Sequence, residues 1–552
     1  MALQGRLSSF DPRWVTLGVT TIGSFMSLLN QTMVNIGLPK IIATFGVDVQ
    51  VGQWVVTAYM ISLSVVIPIS GYLAERVGMK RLYLTTMLAF VVSSALCGIA
   101  WDLPSLVFFR ILQGLGGGML QPLGMAIVFS IITPRERPKF MALLGMPMLV
   151  APLLGPTLGG FLVEYVDWHT VFTVNIPVGM VGLVLAWFLL KETPARHDAP
   201  LDRMGFMLST IAFPSLLLGF TFGSREGWGT PAVQVYLAVG IMSFAGWIYT
   251  ELNQAEPMLD LRLFKAPVFA AAMGMNFLAQ ILLFGMQLLL PIYLQAAQGM
   301  SALQAGLVLV PQGIVSFISM NIASQLYYRV GPRPLVIFGL GVLTLTSWQM
   351  SHVTLGTSAA DITLLAAARG FAMGFMMMPV QTAAYSTVPQ PQIARATALS
   401  NGLMRIYGSF STAFLATILN DRAVFHYAAM ASTLTPDRPA VAGFLDQLQP
   451  ELIARGLLTE AAQQRFIGSL LAAETHRQAL GMAFTDTLMV MTAFGVAGFA
   501  LIFFINDPLY REGRQRGPRP VAASAAPASA MAGSRSGAPL PAGGPAPSHA
   551  EP

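Results

Sequence analysis

GYLAERVGMKRLY, residues 71–83, returns in altered form as SQLYYRVGPRPLV at residues 324–336. Both copies place Arg-Val-Gly directly after a long apolar run. A second pair follows further along, because SLVFFRILQG contains Arg110 and TLLAAARGFAMG contains Arg369. A repeat of this length, carried by several apolar segments, predicts a chain built from two related halves.

The composition around this repeat indicates a membrane protein. Hydrophobic residues make up 55% of the 552 residues and charged residues only 10%, which is too apolar for a soluble globular chain. The single cysteine, Cys97, excludes an internal disulfide and a thiol-metal cluster, and no histidines have metal-ligand spacing. The formal charge of +6 is spread between apolar runs, so nucleic acid is not an expected partner. We expect an all-α polytopic protein in a lipid bilayer.

Fourteen segments come close to the roughly 20 apolar residues that a helix needs to cross a bilayer. The first six and the last six would form the two halves, and the seventh and eighth would be inserted between them. The predicted spans are 14–38, 52–74, 82–101, 104–131, 138–163, 168–190, 204–223, 231–250, 267–294, 303–327, 335–355, 361–387, 396–420 and 482–505.

The distribution of lysine and arginine predicts the topology. An N-terminus in the cytoplasm places most of the 31 basic residues in cytoplasmic loops, as the positive-inside rule requires, and puts both termini on that side of a bacterial inner membrane. The tail is too rich in alanine, proline and glycine to form a core. The expected parts are a cytoplasmic N-terminus 1–13, a first half 14–190, inserted spans 191–266, a second half 267–505 with an outside segment 421–481, and a disordered tail 506–552.

The stretch at 71–81 resembles the cytoplasmic loop signature of the major facilitator superfamily. In that family a small residue, an acid and basic residues latch the inner gate, and charge pairs between them break as the halves rock. Glu75 stands where aspartate is usual and Met79 where a basic residue is usual. The gating loop implied by the resemblance consists of Gly71, Glu75, Arg76, Gly78, Lys80 and Arg81.

LVAPLLGPTLGGFL, residues 149–162, is similar to the span 5 signature of proton-driven exporters. Its prolines and glycines would bend and thin the helix so that two helices pack closely where the halves meet, and an ordinary small-residue packing helix is the alternative. The motif residues are Pro152, Gly155, Pro156, Gly159 and Gly160. With WHTVFTVNIPVG opening span 6, the resemblance points to the fourteen-span drug/proton antiporters of the EmrB/QacA type, closest to the EmrB branch, and covers residues 14 to about 505.

Relatives of the EmrB type work with a periplasmic adaptor protein. The resemblance therefore implies that segment 421–481 offers a docking surface, with a simple spacer as the alternative. It also implies an acid in span 1, where this chain has Asn30, and an amide cannot titrate. If that acid carries protons in relatives, this protein must use another carrier, or none. The candidates are Glu164 and Asp486, which match acidic positions of the family, together with Arg110, whose charge would act on a nearby carboxyl group; solvated helix-end carboxylates and a backbone-bonded structural arginine are the alternatives.

Polar and soft side chains within the spans predict where substrate binds. Amides in a span line a cavity or bond a neighbouring helix, and methionines suit irregular ligands but more often pack. Arg369, near the start of span 12, is interpreted as a snorkelling residue. The substrate-cavity candidates are Asn30, Gln31, Asn35, Gln113, Gln280, Gln287, Met376 and Arg405.

The expected function is secondary active efflux, a proton-coupled antiport of drugs or other amphiphilic toxic compounds across the inner membrane. The proton gradient is the expected energy source, since the chain lacks GxxxxGK[ST] for ATP. Small amphiphilic compounds are the expected substrates, and the positive charge within the spans favours neutral or anionic ones. A dedicated exporter of one endogenous metabolite, such as a siderophore, lipid or antibiotic, is the alternative, and a membrane-embedded enzyme is a remote one. No cofactor, metal or catalytic residue is expected.

Overall fold

The structure is a computed structural model that describes residues 11–193, 195–196, 202–432 and 460–505. Every regular element in these ranges is a helix. The predicted disordered tail 506–552 and the middle of the outside segment lie outside the described residues.

The first half contains six helices within the described residues. Asp102 caps the fourth of them, because its Oδ1 accepts a hydrogen bond of 2.8 Å from the backbone N–H of Ser105. The fifth helix is interrupted at Gly145. The bounds are α1 Pro12–Phe45, α2 Trp54–Val77, α3 Met79–Gly98, α4 Leu103–Ile131, α5a Arg137–Leu144 with α5b Met146–Tyr165, and α6a Thr170–Thr173 with α6b Asn175–Leu189.

The inserted pair and the second half follow. The last two helices extend well beyond the predicted spans 396–420 and 482–505, so much of the described part of segment 421–481 continues these helices. The bounds are α7 Arg203–Glu226, α8 Pro231–Asn253, α9 Pro267–Ile292, α10 Ala302–Val330, α11 Pro332–Met350, α12 Ala359–Ser386, α13 Ile393–Ala431 and α14 Glu460–Ile502.

The two copies of the repeat have the same backbone at their turns. Gly78 separates α2 from α3 and Gly331 separates α10 from α11, and both have φ of 96°. This left-handed region favours glycine because a Cβ atom would be strained there. The Arg-Val-Gly pattern therefore marks the same sharp turn in each half.

Eleven helices within the described residues are long and apolar enough to cross a membrane. The helices outside that set are α1, α5b and α11. α1 carries amides within its apolar run, and α11 has Arg333 in its first turn and polar residues in its last turns. The count of fourteen spans therefore stays a prediction.

Each half has a buried apolar interior, and the inserted pair connects them. Tyr83 and Phe90 lie fully buried in the first half, as do Leu340 and Met376 in the second. α7 packs against α8 and also against α2 and α13, so it contacts both halves. The halves also meet directly where α13 packs against α2 and α4, and where α10 packs against both pieces of α5.

Candidate functional site

An ion pair joins the two halves beside the gating loop. Arg395, in the first turns of α13, donates two hydrogen bonds of 2.8 and 2.6 Å to the carboxylate of Glu75 at the end of α2. A third, of 3.1 Å, goes from Arg395 to the backbone carbonyl of Pro257. We call these three residues the latch, and the end of the molecule that carries them the latch face. Because Glu75 and Arg395 are mostly buried, the pair is worth more than an exposed one.

Gly71 lets the latch close. A Cβ atom on Gly71 would lie 2.9 Å from the carbonyl oxygen of Ala394 and 3.0 Å from Cα of Arg395, so the two backbones touch there. The other gating-loop residues bond within the first half and the loop that follows it: Arg76 donates to the hydroxyl of Tyr72 at 2.6 Å, and Arg81 pairs with Glu192 at 3.5 Å.

The backbone of the gating loop rests on the same loop. Gly78 packs against the carboxylate of Glu192, which also accepts a hydrogen bond of 3.2 Å from the backbone N–H of Lys80. Among the residues predicted for the gating loop, Glu75 is thus the one that forms the ion pair between the halves.

Further bonds between the halves lie on the latch face. Arg137 in α5a donates to the backbone carbonyl of Tyr385, and Gln390 donates to the carbonyl of Phe129 at 2.8 Å. Next to them, hydrogen bonds from Thr133 and an ion pair with Arg13 lower the pKa of Glu136, which keeps this loop carboxylate ionised. The latch face is therefore held closed in this structure.

A buried polar network surrounds Arg110 in the first half. Its Nε donates to the carbonyl of Val55 at 2.9 Å and its NH1 to Oε1 of Gln113 at 2.6 Å, while the ring of Tyr59 lies 3.9 Å from the guanidinium carbon. Gln113 in turn donates to Ser94 at 2.7 Å. The second NH group of Arg110 is buried without a hydrogen-bond partner. One of these contacts is to the backbone, so Arg110 in part fits the alternative of a backbone-bonded structural arginine.

The same network extends to Asn30. The Nδ2 of Asn30 lies 3.4 Å from Oε1 of Gln113, and its Oδ1 accepts a hydrogen bond of 3.2 Å from Asn175 at the start of α6b. Asn30, Gln113 and Asn175 are all buried. The position where the family resemblance implies an acid is therefore an amide inside the network of Arg110, and not an open cavity wall.

Arg369 occupies the corresponding place in the second half. It is 1% exposed, its NH1 donates to Ser347 at 2.5 Å, and its NH2 donates to the carbonyl of Leu282 at 2.7 Å. The prediction that Arg369 snorkels is wrong, because the side chain reaches inward to bonds on α11 and α9.

A third arginine lies between the halves. Arg405 in α13 is partly exposed and donates to Oε1 of Gln31 in α1 at 3.3 Å. Near it, Met404 contacts Gln381, whose Nε2 lies 3.4 Å from Oδ1 of Asn276. Asn276, Gln381 and Gln280 are buried, and each has one amide atom without a hydrogen-bond partner. Gln381 and Asn276 thus form an incompletely bonded amide pair that reaches the residue before Arg405.

Three predicted cavity residues lie elsewhere. Asn35 and Gln287 are exposed, and Met376 is fully buried in the apolar interior of the second half. Met376 packs because α12 buries this face against its neighbours. The structure thus brings Gln31 and Arg405 together and separates them from Asn35, Gln287 and Met376.

The two predicted proton carriers are on the side opposite the latch face. Glu164 is exposed near the end of α5b. Asp486 in α14 accepts from Arg422 at 3.1 Å and lies 2.8 Å from Nε2 of His426, both on the extended end of α13. Within the described residues no contact joins Glu164 to Asp486. Asp486 already has the guanidinium of Arg422 and the imidazole of His426 as partners.

The span 5 motif packs within its own half. A Cβ atom on Gly159 would lie 3.1 Å from Cα of Met33 in α1, and one on Gly155 would collide with the side chain of Thr32. Gly160 faces open space. The side chains of Pro152 and Pro156 lie outside the described residues. The close approach expected where the halves meet is therefore made to α1, although α5b also contacts α10.

An apolar pocket of about 370 Å³ lies between α2 and α4. Its lining offers little polar surface to orient a charged ligand. The lining residues are Trp54, Ala58, Ile61, Ser62, Val65, Val107, Ile111 and Leu115.

The two helical halves, joined at the latch face, agree with the similarity of the chain to known proteins. Residues 20–412 match the Major Facilitator Superfamily. The chain belongs to this superfamily. It is a membrane transporter and not an enzyme, as the sequence predicted, and its relatives include multidrug export proteins.

Relatives of this superfamily member extend over most of its length. It is 34% identical to "Uncharacterized MFS-type transporter YhcA" of Bacillus subtilis (strain 168), covering 89% of this chain and 92% of that protein. It is 29% identical to "Multidrug export protein EmrB" of Escherichia coli (strain K12), covering 78% of this chain and 84% of that protein. The human organic anion transporter MFSD10 (TETRAN) has a similar fold, with a TM-score of 0.58, 13% identity, and coverage of 88% of this chain and all of that chain.

The sequence analysis missed several residues that take part in the latch and in the polar networks of this transporter. Arg395 lies in QPQIARATALSNG, outside the predicted spans, and only the fold brings it to Glu75. Asn175, Asn276 and Gln381 could have been found as amides in apolar runs, the signal that identified Asn30.

Proposed function

We propose that this transporter is a proton-coupled exporter of small amphiphilic compounds. The observation that carries the proposal is the placement of the bonds between the halves. Most of them lie at the latch face, around Glu75 and Arg395. Deeper in the molecule, Arg405 donates to Gln31 at 3.3 Å across the interface between the two halves, which we call the seam. A seam closed at one end by breakable polar contacts is what alternating access requires.

The charges at membrane depth favour anionic or neutral substrates. Arg110, Arg369 and Arg405 take part in no ion pair within the described residues, and their partners are amides, a hydroxyl, an aromatic ring and backbone carbonyls. A multiply charged cation would be repelled by this interior, whereas an anion would gain hydrogen bonds from Arg405 and the neighbouring amides. A narrow range of transported compounds would instead favour the dedicated exporter of one metabolite.

The proton carrier is proposed to be Glu164 or Asp486, since Asn30 cannot titrate. We further propose that the latch face is cytoplasmic, as the basic loops predict, and that the protein resides in a bacterial inner membrane. Segment 421–481 is the proposed docking surface for a periplasmic adaptor.

Proton release driven by substrate tests the proposal. Purified protein in liposomes with a trapped pH dye would receive anilinonaphthalene sulfonate as an anionic probe and a bis-quaternary ammonium dye as a cationic one. We expect the sulfonate to release protons and the dication not to do so. Glu164→Gln and Asp486→Asn are the test variants, and Glu226→Gln, at an exposed acid that ends α7, is the matched control.

The outcomes separate the parts of the proposal. Loss of proton release in one carboxylate variant alone identifies the carrier, and Asn30→Asp is expected to increase the protons released per substrate. Sulfonate movement without proton movement in the wild type would reject antiport. Faster movement of the dication than of the sulfonate would reject the substrate class.

A further inference from the structure

Three buried carboxyl groups meet where the inserted helices reach the latch face. Glu251 near the end of α8 is fully buried, Asp202 before α7 is 3% exposed, and Asp260 before α9 is 9% exposed. We call them the acid cluster. They lie just beyond the predicted spans 204–223 and 231–250, and nothing in the transport mechanism proposed above uses them.

Gly205 shows how closely two of these carboxyl groups approach each other. A Cβ atom on Gly205 would lie 2.9 Å from Oε1 of Glu251 and would collide with Oδ2 of Asp202. Both oxygens therefore lie beside Gly205, and Oε1 of Glu251 also accepts a hydrogen bond of 3.0 Å from Nε1 of Trp247. Among the described residues, Oδ2 of Asp202 has no hydrogen-bond partner, while Oδ1 accepts from the N–H of Gly205 at 2.8 Å.

The charged groups around the acid cluster do not neutralise it. Arg262 donates its backbone N–H to Asp260 at 3.0 Å, but its guanidinium donates to the carbonyl of Gln254 at 2.6 Å. Arg203 and Lys265 are exposed, and Glu256 pairs with Arg196 at 2.7 Å. Within the described residues, no ion pair includes a member of the acid cluster.

Adjacent buried carboxylates without a cation cannot all ionise, because each charge disfavours the next and burial disfavours them all. In the closed structure, burial and the nearby carboxyl groups of Asp202 and Asp260 therefore favour a bound proton on Glu251. Oδ2 of Asp202 and Oε1 of Glu251 both lie beside Gly205, so a proton held by Glu251 would relieve the repulsion between these two groups.

Three consecutive residues connect this cluster to the latch. Leu259 donates its backbone N–H to Oε2 of Glu251 at 3.2 Å. Met258 packs against Tyr72 of α2. The carbonyl of Pro257 accepts from Arg395, the residue that pairs with Glu75. We call residues 257–259 the strap, since a shift at Glu251 moves the backbone that holds Arg395.

We propose that the acid cluster Asp202, Glu251 and Asp260 is a proton-binding site that holds the latch closed through the strap. With the proton bound, the carboxyl groups stay together and the strap keeps Pro257 on Arg395. Loss of the proton makes the groups repel each other, which separates α7 from α8, displaces the strap and weakens the latch. The inference deepens the proposed function, on which its place in a transport cycle rests.

The direction of the pH effect follows from linkage. The closed form binds the proton more tightly than the open form, in which the carboxyl groups separate and gain water. Closure is therefore complete at low pH and is lost as the pH rises through the titration of the closed form. One proton changes the closed-to-open ratio by up to about tenfold per pH unit.

Distances between spin labels on the latch face test the inference. Labels at Arg135 and Arg329, exposed positions on opposite halves, would be placed in a Cys97→Ala background and measured in nanodiscs without substrate. In the otherwise unchanged chain we expect a short distance at pH 6 and a growing long-distance population towards pH 9. Glu251→Gln, which mimics the protonated acid, should keep the short distance at every pH.

Two further variants keep the test decisive. Asp202→Asn should act like Glu251→Gln, and because asparagine also caps helices, α7 is expected to fold. Glu226→Gln, at the opposite end of α7, should retain the full pH response. An unchanged pH response in both Glu251→Gln and Asp202→Asn would overturn the inference.

An infrared band from a protonated carboxyl group gives an independent readout. It should be present at neutral pH and be lost in Glu251→Gln, and its persistence in that variant would also overturn the inference. Neither measurement requires transport. A retained pH response with no proton-coupled export would reject the proposed function alone, and the reverse result would reject the acid cluster alone.

Discussion

The two halves hold their buried arginines in different ways. Ser94 and Ser347 align without a gap when Gly78 is aligned with Gly331. In the second half Arg369 donates directly to Ser347 at 2.5 Å. In the first half Gln113 stands between, accepting from Arg110 and donating to Ser94. The residue three positions after Arg369 is Ala372, which has no amide to offer.

The inserted amide changes what the arginine can influence. Gln113 links Arg110 to Asn30 in α1, and Asn30 links to Asn175 in α6b, so this network joins five helices. Arg369 joins α12 only to α9 and α11. The comparison teaches that equivalent charges in a repeat can differ in role: the first half has a polar network that a change at one helix can rearrange, and the second has a fixed anchor.

Removing the two charges should break the comparison most strongly. We expect Arg110→Met to lower the transport rate per folded protein by more than about tenfold, the effect of ~1.4 kcal/mol on a barrier. Arg369→Met should lower thermal stability but keep the rate within about threefold of the wild type. Sulfonate transport in liposomes and thermal unfolding in detergent measure the two effects. Equal loss of transport in both variants would contradict the assignment of roles.

The aligned serines provide a sharper and smaller test. Ser347→Ala removes a hydrogen bond from a charged donor and should lower the free energy of unfolding by about 1.5–3 kcal/mol. Ser94→Ala removes a bond from a neutral amide and should cost about 0.5–1.5 kcal/mol. Unfolding by denaturant in micelles compares the pair directly. A larger loss of unfolding free energy for Ser94→Ala than for Ser347→Ala would contradict the assignment of a neutral donor to Ser94 and a charged donor to Ser347.

The smallest expected effect concerns Tyr59, whose ring lies over Arg110. Tyr59→Phe keeps the ring but loses the hydroxyl contact with Ser27 at 3.2 Å, and should cost about 0.5–1.5 kcal/mol of stability. Tyr59→Leu should lose a further 0.5–2 kcal/mol, roughly the value of a cation–π contact. The same unfolding measurement applies. Identical unfolding free energies for Tyr59→Phe and Tyr59→Leu would show that the ring of residue 59 does not stabilise Arg110.

Local sequence patterns predicted what depends on local chemistry. Apolar runs predicted the helices. The charge pairs expected of Glu75 were with basic residues of its own loop, whereas the structure pairs Glu75 with Arg395. The partner Arg395 is 320 positions away, and no spacing rule connects the two. The family could be predicted from a few short motifs, because the residues of these motifs make sharp turns and close helix packing.

Side-chain environments were harder to predict than helices. Met376 and Arg369 each have a residue type that suits either an interior or a membrane boundary, and only the packing of α12 decides between them. The acid cluster was invisible for a related reason. Its members lie at the ends of three different elements, each of which looks like an ordinary solvated carboxylate until α7 and α8 fold together.

The position of α7 also decides how lipid can reach the transporter. Because α7 packs on both α2 and α13, it covers one of the two lateral seams between the halves. The other seam, where α5b meets α10, has no inserted helix packed over it among the described residues. An amphiphile dissolved in the bilayer therefore meets an asymmetric protein, with one flank covered by α7 and the other without an inserted helix packed over it among the described residues.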